Sequence, residues 1–220
     1  MTNRKRSQAA KSVHRLKRLL VRERELRDEG LRFIAGVDEA GVGPLAGPVV
    51  AAAVIFPAGE GLKGVDDSKK LSPAKRDELA VTIRDAALAW SVIPVDPIEI
   101  DRVNIYQAGL LAMQRAVLAL DPTPERVLVD GRGTVPNLSM PQESVIGGDA
   151  ICHAIAAASV LAKSERDRMM RDYDAAYPGY GFATHKGYPT AEHREAIKKL
   201  GPSPIHRRSF TLLPQPRLFD

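Results

Sequence analysis

Four carboxylate positions are the residues of this chain best suited to chemistry: the adjacent pair Asp38 and Glu39, Asp130 in Val-Asp-Gly, and Asp149 in Gly-Asp-Ala. Neighbouring carboxylates repel, and burying them is costly unless a cation or hydrogen-bond donors compensate. Directly after the pair comes a turn dense in small residues, with Gly41, Gly43, Pro44, Ala46, Gly47 and Pro48. Its glycines leave backbone N–H groups bare, so a ligand can approach the main chain closely. Acids that gather a metal, beside amides that meet a phosphate or a sugar, form one coherent arrangement. Oxygen-only ligation points to Mg²⁺ or Mn²⁺ and away from zinc, since no Cys/His cluster accompanies the acids.

Such acids must be brought together by the elements that carry them. An apolar run at 33–37 reads as a strand stopping at Asp38, and 49–56 reads as a second strand. Ser72 caps a helix that begins at Pro73 and continues to about residue 88. A third strand covers 90–95. After a short turn from Pro97, a helix runs from about 105 to 120 and is stopped by Pro122 and Pro124. A fourth strand at 126–129 delivers Asp130, and a short fifth covers 144–146. Asp149 opens one long helix to about residue 177, small and apolar in its first half and charged in its second. A last helix is expected near 191–200, before an irregular tail. Strand ends in an α/β sheet converge on one edge, where ligands bind.

The chain has 220 residues, 44% of them hydrophobic and 27% charged, which suits one α/β domain with a real core. A single cysteine, Cys152, precludes an intramolecular disulfide and fits a reducing cytoplasm. No apolar run reaches membrane-spanning length, so a membrane role is not expected. The net charge of +5 favours a polyanionic partner. Residues 1–30 hold ten of the 32 basic and four of the 27 acidic residues, so the remainder of the chain is close to neutral. Leu16, Leu19, Leu20 and Leu26 fall at helical spacing, which makes 11–28 an amphipathic basic helix. It either touches phosphates or packs its leucines on the body.

Several separated motifs resemble the ribonuclease HII (type 2 ribonuclease H) family: VDEAGVGPLAGPVVAAAV, DDSKKLS, VDG, GDA, IAAASVLAKSERD, HKGYPT and HRRSF, in that order between residues 33 and 211. The resemblance implies an α/β, RNase H-like fold, a mixed five-stranded sheet flanked by helices with a C-terminal helical portion. Residues 1–30 would be a basic extension, 31–211 the catalytic domain and 212–220 a flexible tail. The type 3 relatives carry an extra N-terminal domain, for which thirty residues are too few. The implied activity is a metal-dependent endoribonuclease, cutting the RNA strand of RNA–DNA hybrids and nicking at single ribonucleotides in duplex DNA. Asp38, Glu39, Asp130 and Asp149 match the family's metal-binding carboxylates, and Gly41-Val42-Gly43 matches the loop that reads the ribose 2′-hydroxyl. Tyr188 matches the tyrosine that stacks under the following sugar, and Lys69 and Lys186 are expected at phosphates.

Two positions depart from the family pattern: Val42 replaces the loop arginine, and Gly148 replaces the lysine before the last aspartate. The rival reading is therefore a junction-binding protein with weakened catalysis. Arg207 and Arg208 are expected at the duplex backbone or in a solvated tail, while Cys152, His153, Met169 and Met170 read as helix packing. Gln215, Leu218 and Phe219 resemble the QxxLF peptides that dock on bacterial sliding clamps, against the alternative of an ordinary tail. Nothing suggests more than a monomer.

Overall fold

A computed structural model describes residues 12–59, 61–65, 68 and 71–213. Five strands form one mixed sheet: β1 (Ile34–Ala40), β2 (Val49–Ile55), β3 (Ala89–Val95), β4 (Arg126–Asp130) and β5 (Gln142–Val145), in the order β3-β2-β1-β4-β5. β1 and β2 pair antiparallel, as do β2 and β3, whereas β4 lies parallel to both β1 and β5. The short glycine-rich turn joins an antiparallel pair, and the parallel pairing of β1 with β4 brings Asp130 to the same sheet edge as Asp38 and Glu39.

Helices cover both faces. In chain order they are α1 (12–19), α2 (Val21–Asp28), α3 (Pro73–Ala86), α4 (Pro97–Val103), α5 (Ile105–Leu118), α6 (Gly148–Ile151), α7 (His153–Ala176), α8 (Phe182–His185) and α9 (Ala191–Leu200). Alternation along the strands decides which helix each residue meets. Ala35 and Val37 of β1, with Ala51 and Ala53 of β2, pack against Ala108, Ala112 and Ala116 of α5. Ala52 and Val54 face the opposite way, onto Ala156, Ala157 and Val160 of α7. The approach on that side is close. A Cβ on Gly36 would lie 2.3 Å from the backbone of Ala154 and Ile155, so β1 and α7 pack nearly backbone to backbone.

Four expectations change. β1 does not stop at Asp38 but pairs through it, with Asp38 opposite Ala52 and Glu39 opposite Ala51. The long helix is broken at Cys152, which is extended (φ −125°, ψ 129°), so Asp149 belongs to the separate four-residue α6. The segment after Pro97 is a helix, α4, capped by the Asp96 side chain on Glu99 N. The expected N-terminal helix is interrupted at Leu20, and its leucines turn inward, with Leu16, Leu19, Leu20 and Leu26 all buried. Buried Glu23 from α2 accepts a bond from Ala154 N at 2.7 Å, supplying the start of α7 with the cap that Cys152 lacks.

Candidate active site

The acids sit where the sheet edge meets α7. Asp38 shares the α7 face of β1 with Gly36, and it is only 5% exposed. Its Oδ1 accepts from Glu39 N at 2.7 Å, and the Ser159 hydroxyl on α7 bonds its carboxylate. Burial first, then the negative charges of Glu39 and Asp130, push the Asp38 carboxyl well above the usual range. Asp130 ends β4 and accepts from Gly148 N at 2.7 Å, which ties the start of α6 to the cluster. Asp38, Glu39 and Asp130 line one open cleft of about 250 Å³ together with Gly41, Val42, Gly43, Ser68, Ser159, Lys163 and Tyr188.

Asp149 follows Gly148, whose amide bonds Asp130, in the first turn of α6, and it does not line this cleft. Among the described residues, no three Asp, Glu, His or Cys side chains close on one point as a finished ion site. The donor chemistry nevertheless fits a hard cation. The cleft gathers carboxylate and hydroxyl oxygens without a thiol or imidazole, and the repulsion that raises the Asp38 carboxyl is what a bound divalent charge would relieve.

The loop after β1 is held by arginines rather than by its own turn. Gly41 lies at φ +96°, and a Cβ there would fall 2.1 Å from Arg166 Nε, so glycine is required twice over. Arg166 on α7 is fully buried. It donates through Nε to Pro48 O at 3.0 Å and through Nη2 to Ala46 O and Lys186 O at 3.1 and 3.0 Å. Arg207, also 0% exposed, donates to the carbonyls of Gly47, Val42 and Gly41 at 2.9, 3.0 and 2.6 Å. Neither forms an ion pair within the described residues. Burial, then the nearby Arg166 charge, lowers the Arg207 guanidinium to about 9. Arg207 therefore meets neither the duplex nor solvent, which corrects both expectations for it. Arg208 is exposed.

Tyr188 stands across the cleft, 42% exposed, with Lys163 Nζ and Arg166 Cζ each 5.9 Å from its ring centre. A histidine chain fixes its backbone. Ser203 N donates to His206 Nδ1 at 2.8 Å, so the neutral ring carries its proton on Nε2 and donates to His193 Nε2 at 3.0 Å. His193 then donates from Nδ1 to Tyr188 O at 2.9 Å. Burial lowers both imidazoles to about 4, which keeps the chain neutral at ordinary pH.

A second network supports the far wall. Lys163 Nζ meets Asp167 Oδ1 at 2.6 Å, and Asp167 Oδ2 meets Arg76 Nη1 at 2.7 Å. Arg76 in turn holds Ser68 O and Leu71 O, while Ser68 Oγ lies 2.9 Å from Ser159 Oγ. Sequence reasoning missed Ser159, Lys163 and Arg166. Their spacing of i, i+4 and i+7 puts them on one face of the helix, which was the available signal. Lys186 does not reach the cleft, its ammonium donating instead to Ala183 O. Lys69 and the tail residues Gln215, Leu218 and Phe219 lie outside the described residues. His153 and Met170 are core, as expected.

The sequence profile of the Ribonuclease HII family matches residues 35–213. A Ribonuclease HII of Anaeromyxobacter sp. is 56% identical over 89% of this chain, which spans 62% of that protein's length. One of Moorella thermoacetica is 54% identical over 89% of this chain and 95% of its own. Among solved structures, the PCNA:RNase HII complex from Archaeoglobus fulgidus matches with a TM-score of 0.70 at 28% identity, over 84% of this chain and 98% of the other. With that match running through the acids, the glycine loop and Tyr188, the chain belongs to the ribonuclease HII family.

Proposed function

We propose that this chain is a metal-dependent endoribonuclease that hydrolyses the RNA strand of RNA–DNA hybrids and nicks on the 5′ side of single ribonucleotides in duplex DNA. The observation that carries it is the convergence of Asp38, Glu39 and Asp130 on one sheet edge, beside a glycine loop clamped from behind by two buried arginines. The bare backbone at Gly41–Gly43 reads the ribose 2′-hydroxyl, the one group that separates RNA from DNA at a given site. Tyr188 stacks under the next sugar. Lys163 adds positive charge to the wall that faces the strand. Asp38, Glu39 and Asp130, with Asp149 beside them, are the residues that would hold Mg²⁺ or Mn²⁺. When bound, two such ions supply the Lewis acidity that makes water a nucleophile and stabilises the departing oxygen. Water adds to phosphorus, the bond to the 3′-oxygen breaks, and that oxygen takes a proton, leaving 5′-phosphate and 3′-hydroxyl ends.

A nicking assay on duplex DNA with one ribonucleotide tests this, with Mg²⁺, Mn²⁺ or chelator. Metal-dependent cutting at the ribonucleotide is expected, and Asp130→Asn should abolish it while circular dichroism stays unchanged. Binding of the ribonucleotide duplex with no cutting by any ion would instead favour the junction-binding reading that Val42 motivates. We place the protein in the bacterial cytoplasm as a monomer. Its residues 215–219 dock on a sliding clamp, and the PCNA complex of the Archaeoglobus fulgidus RNase HII supports that class of partner. Equal clamp recovery by the full chain and by a chain ending at Leu213 would sink that part.

A further inference from the structure

The sheet edge opens on two clefts. Alternation along β1 puts Asp38 on the α7 side and Glu39 on the α5 side, so the acids straddle the edge. On the α5 side lies a second groove of about 190 Å³, which shares Glu39, Val42 and Asp130 with the first. Its remaining walls are mostly apolar, with Ile105, Tyr106 and Leu110 from α5 and Arg132 from the turn after β4. Tyr106 is 67% exposed, too open to be a core residue, and Arg132 pairs with no carboxylate among the described residues. A Cβ on Gly109, Gly131 or Gly133 would meet nothing within 4 Å, so the groove is bordered by bare backbone with room above it. An exposed aromatic beside an unpaired arginine suits a nucleotide, with the ring under its base or sugar and the guanidinium at its phosphate.

We propose that this second groove seats the nucleotide on the 5′ side of the cut, the one whose 3′-oxygen departs. The inference rests on the function proposed above and follows from strand polarity. If the ribonucleotide lies over Gly41–Gly43 and the following sugar on Tyr188, the α7-side cleft is filled by everything 3′ of the scissile phosphate. The acids mark that phosphate at the edge. The preceding nucleotide must therefore cross to the α5 side, where the groove continues directly from Glu39 and Val42.

The test compares two duplexes. One has a single ribonucleotide within a continuous strand. In the other, that strand begins at the ribonucleotide with a 5′-phosphate, so it cannot be cut and serves as a competitive inhibitor. Tyr106→Ala should raise KM for the first about tenfold, with kcat changed much less, and leave the inhibition constant of the second unchanged; Tyr106→Phe should match the parent on both. Tyr106 is exposed, so folding is not at stake. An unchanged KM overturns the proposal, as does an equal loss on both duplexes. If the parent itself prefers neither duplex over all-DNA, the functional reading falls first and the groove with it, and that outcome is visible without any variant.

Discussion

Replacing Arg207 by Met should damage the protein far more than its place in a basic tail segment suggests. The guanidinium makes three hydrogen bonds to carbonyls of one loop, at Gly41, Val42 and Gly47. A bond from a charged donor contributes about 1.5–3 kcal/mol, so the three together give roughly 5–9 kcal/mol of gross stabilisation. Against this stands the cost of holding a charge out of water without a carboxylate, several kcal/mol, which the Met variant no longer bears. The net loss should then be about 3 kcal/mol. In a chain of this size, about 2–4 °C of Tm per kcal/mol converts that to a fall of roughly 6–12 °C. Arg207→Lys keeps a charge but places it at one point, so it should recover less than half of the loss. Arg208→Met serves as the control, since Arg208 is exposed and its side chain reaches only Pro202 O at 3.3 Å. Thermal unfolding and urea titration read the stability. At a temperature where the variant is folded, KM on the ribonucleotide duplex should also rise, because the carbonyls of Gly41 and Val42 lose their anchor. An Arg207→Met protein as stable as the Arg208→Met control would refute the clamp.

Asp167→Asn removes the partner shared by Arg76 and Lys163, both buried or nearly so, and should cost about 3–5 kcal/mol in urea unfolding; a change below about 1 kcal/mol would show that the network is idle. Acid should also weaken the fold. His153, His193 and His206 are each lowered to about 4, whereas unfolded imidazoles titrate near 6.5. Their contribution is full above about pH 6.5 and is lost as pH falls toward 4, because the unfolded chain takes up protons that the folded one refuses. The raised carboxyls of Asp38 and Glu23 run the other way and offset part of this. The urea midpoint should therefore drop between pH 7 and pH 5, by roughly 1–3 kcal/mol in stability, and a flat profile would count against buried neutral histidines. Val42→Arg should lower KM or raise turnover, since a charged hydrogen bond to phosphate contributes about 1.5–3 kcal/mol; a variant no better than the parent would mean that Val42 costs nothing.

The sheet and its flanking helices were legible because periodicity carries them. The alanine-rich stretch from Ala154 to Ala162 announced burial, and Gly36 shows how close the buried approach is. What failed was every boundary set by a distant partner. Asp38 and Glu39 looked like a strand end, yet the ladder with Ala51 and Ala52 runs through them, and Ser159 shelters Asp38. The break at Cys152 has no proline or glycine to mark it. It is stabilised by Glu23, a residue 131 positions from the Ala154 amide it caps. Arg207 and Arg208 are adjacent and identical in type, and only the first is enclosed, by carbonyls up to 166 positions away. Local sequence holds no information about such a difference.

The site divides along the same line. Acids and glycines were readable because their costs are intrinsic: repulsion between neighbours, and a backbone only glycine tolerates. The supports were not, because an arginine on a buried helix has the same local pattern as one on a solvated face. The distinguishing mark was present but faint. Ser159, Lys163 and Arg166 recur at i, i+4 and i+7 on one face of α7, and polar groups in a buried helix must find partners. Here the partners are Asp38 for Ser159, Asp167 for Lys163 and the carbonyls of Pro48, Ala46 and Lys186 for Arg166, so the stripe ties α7 to the acid cluster and to the glycine loop.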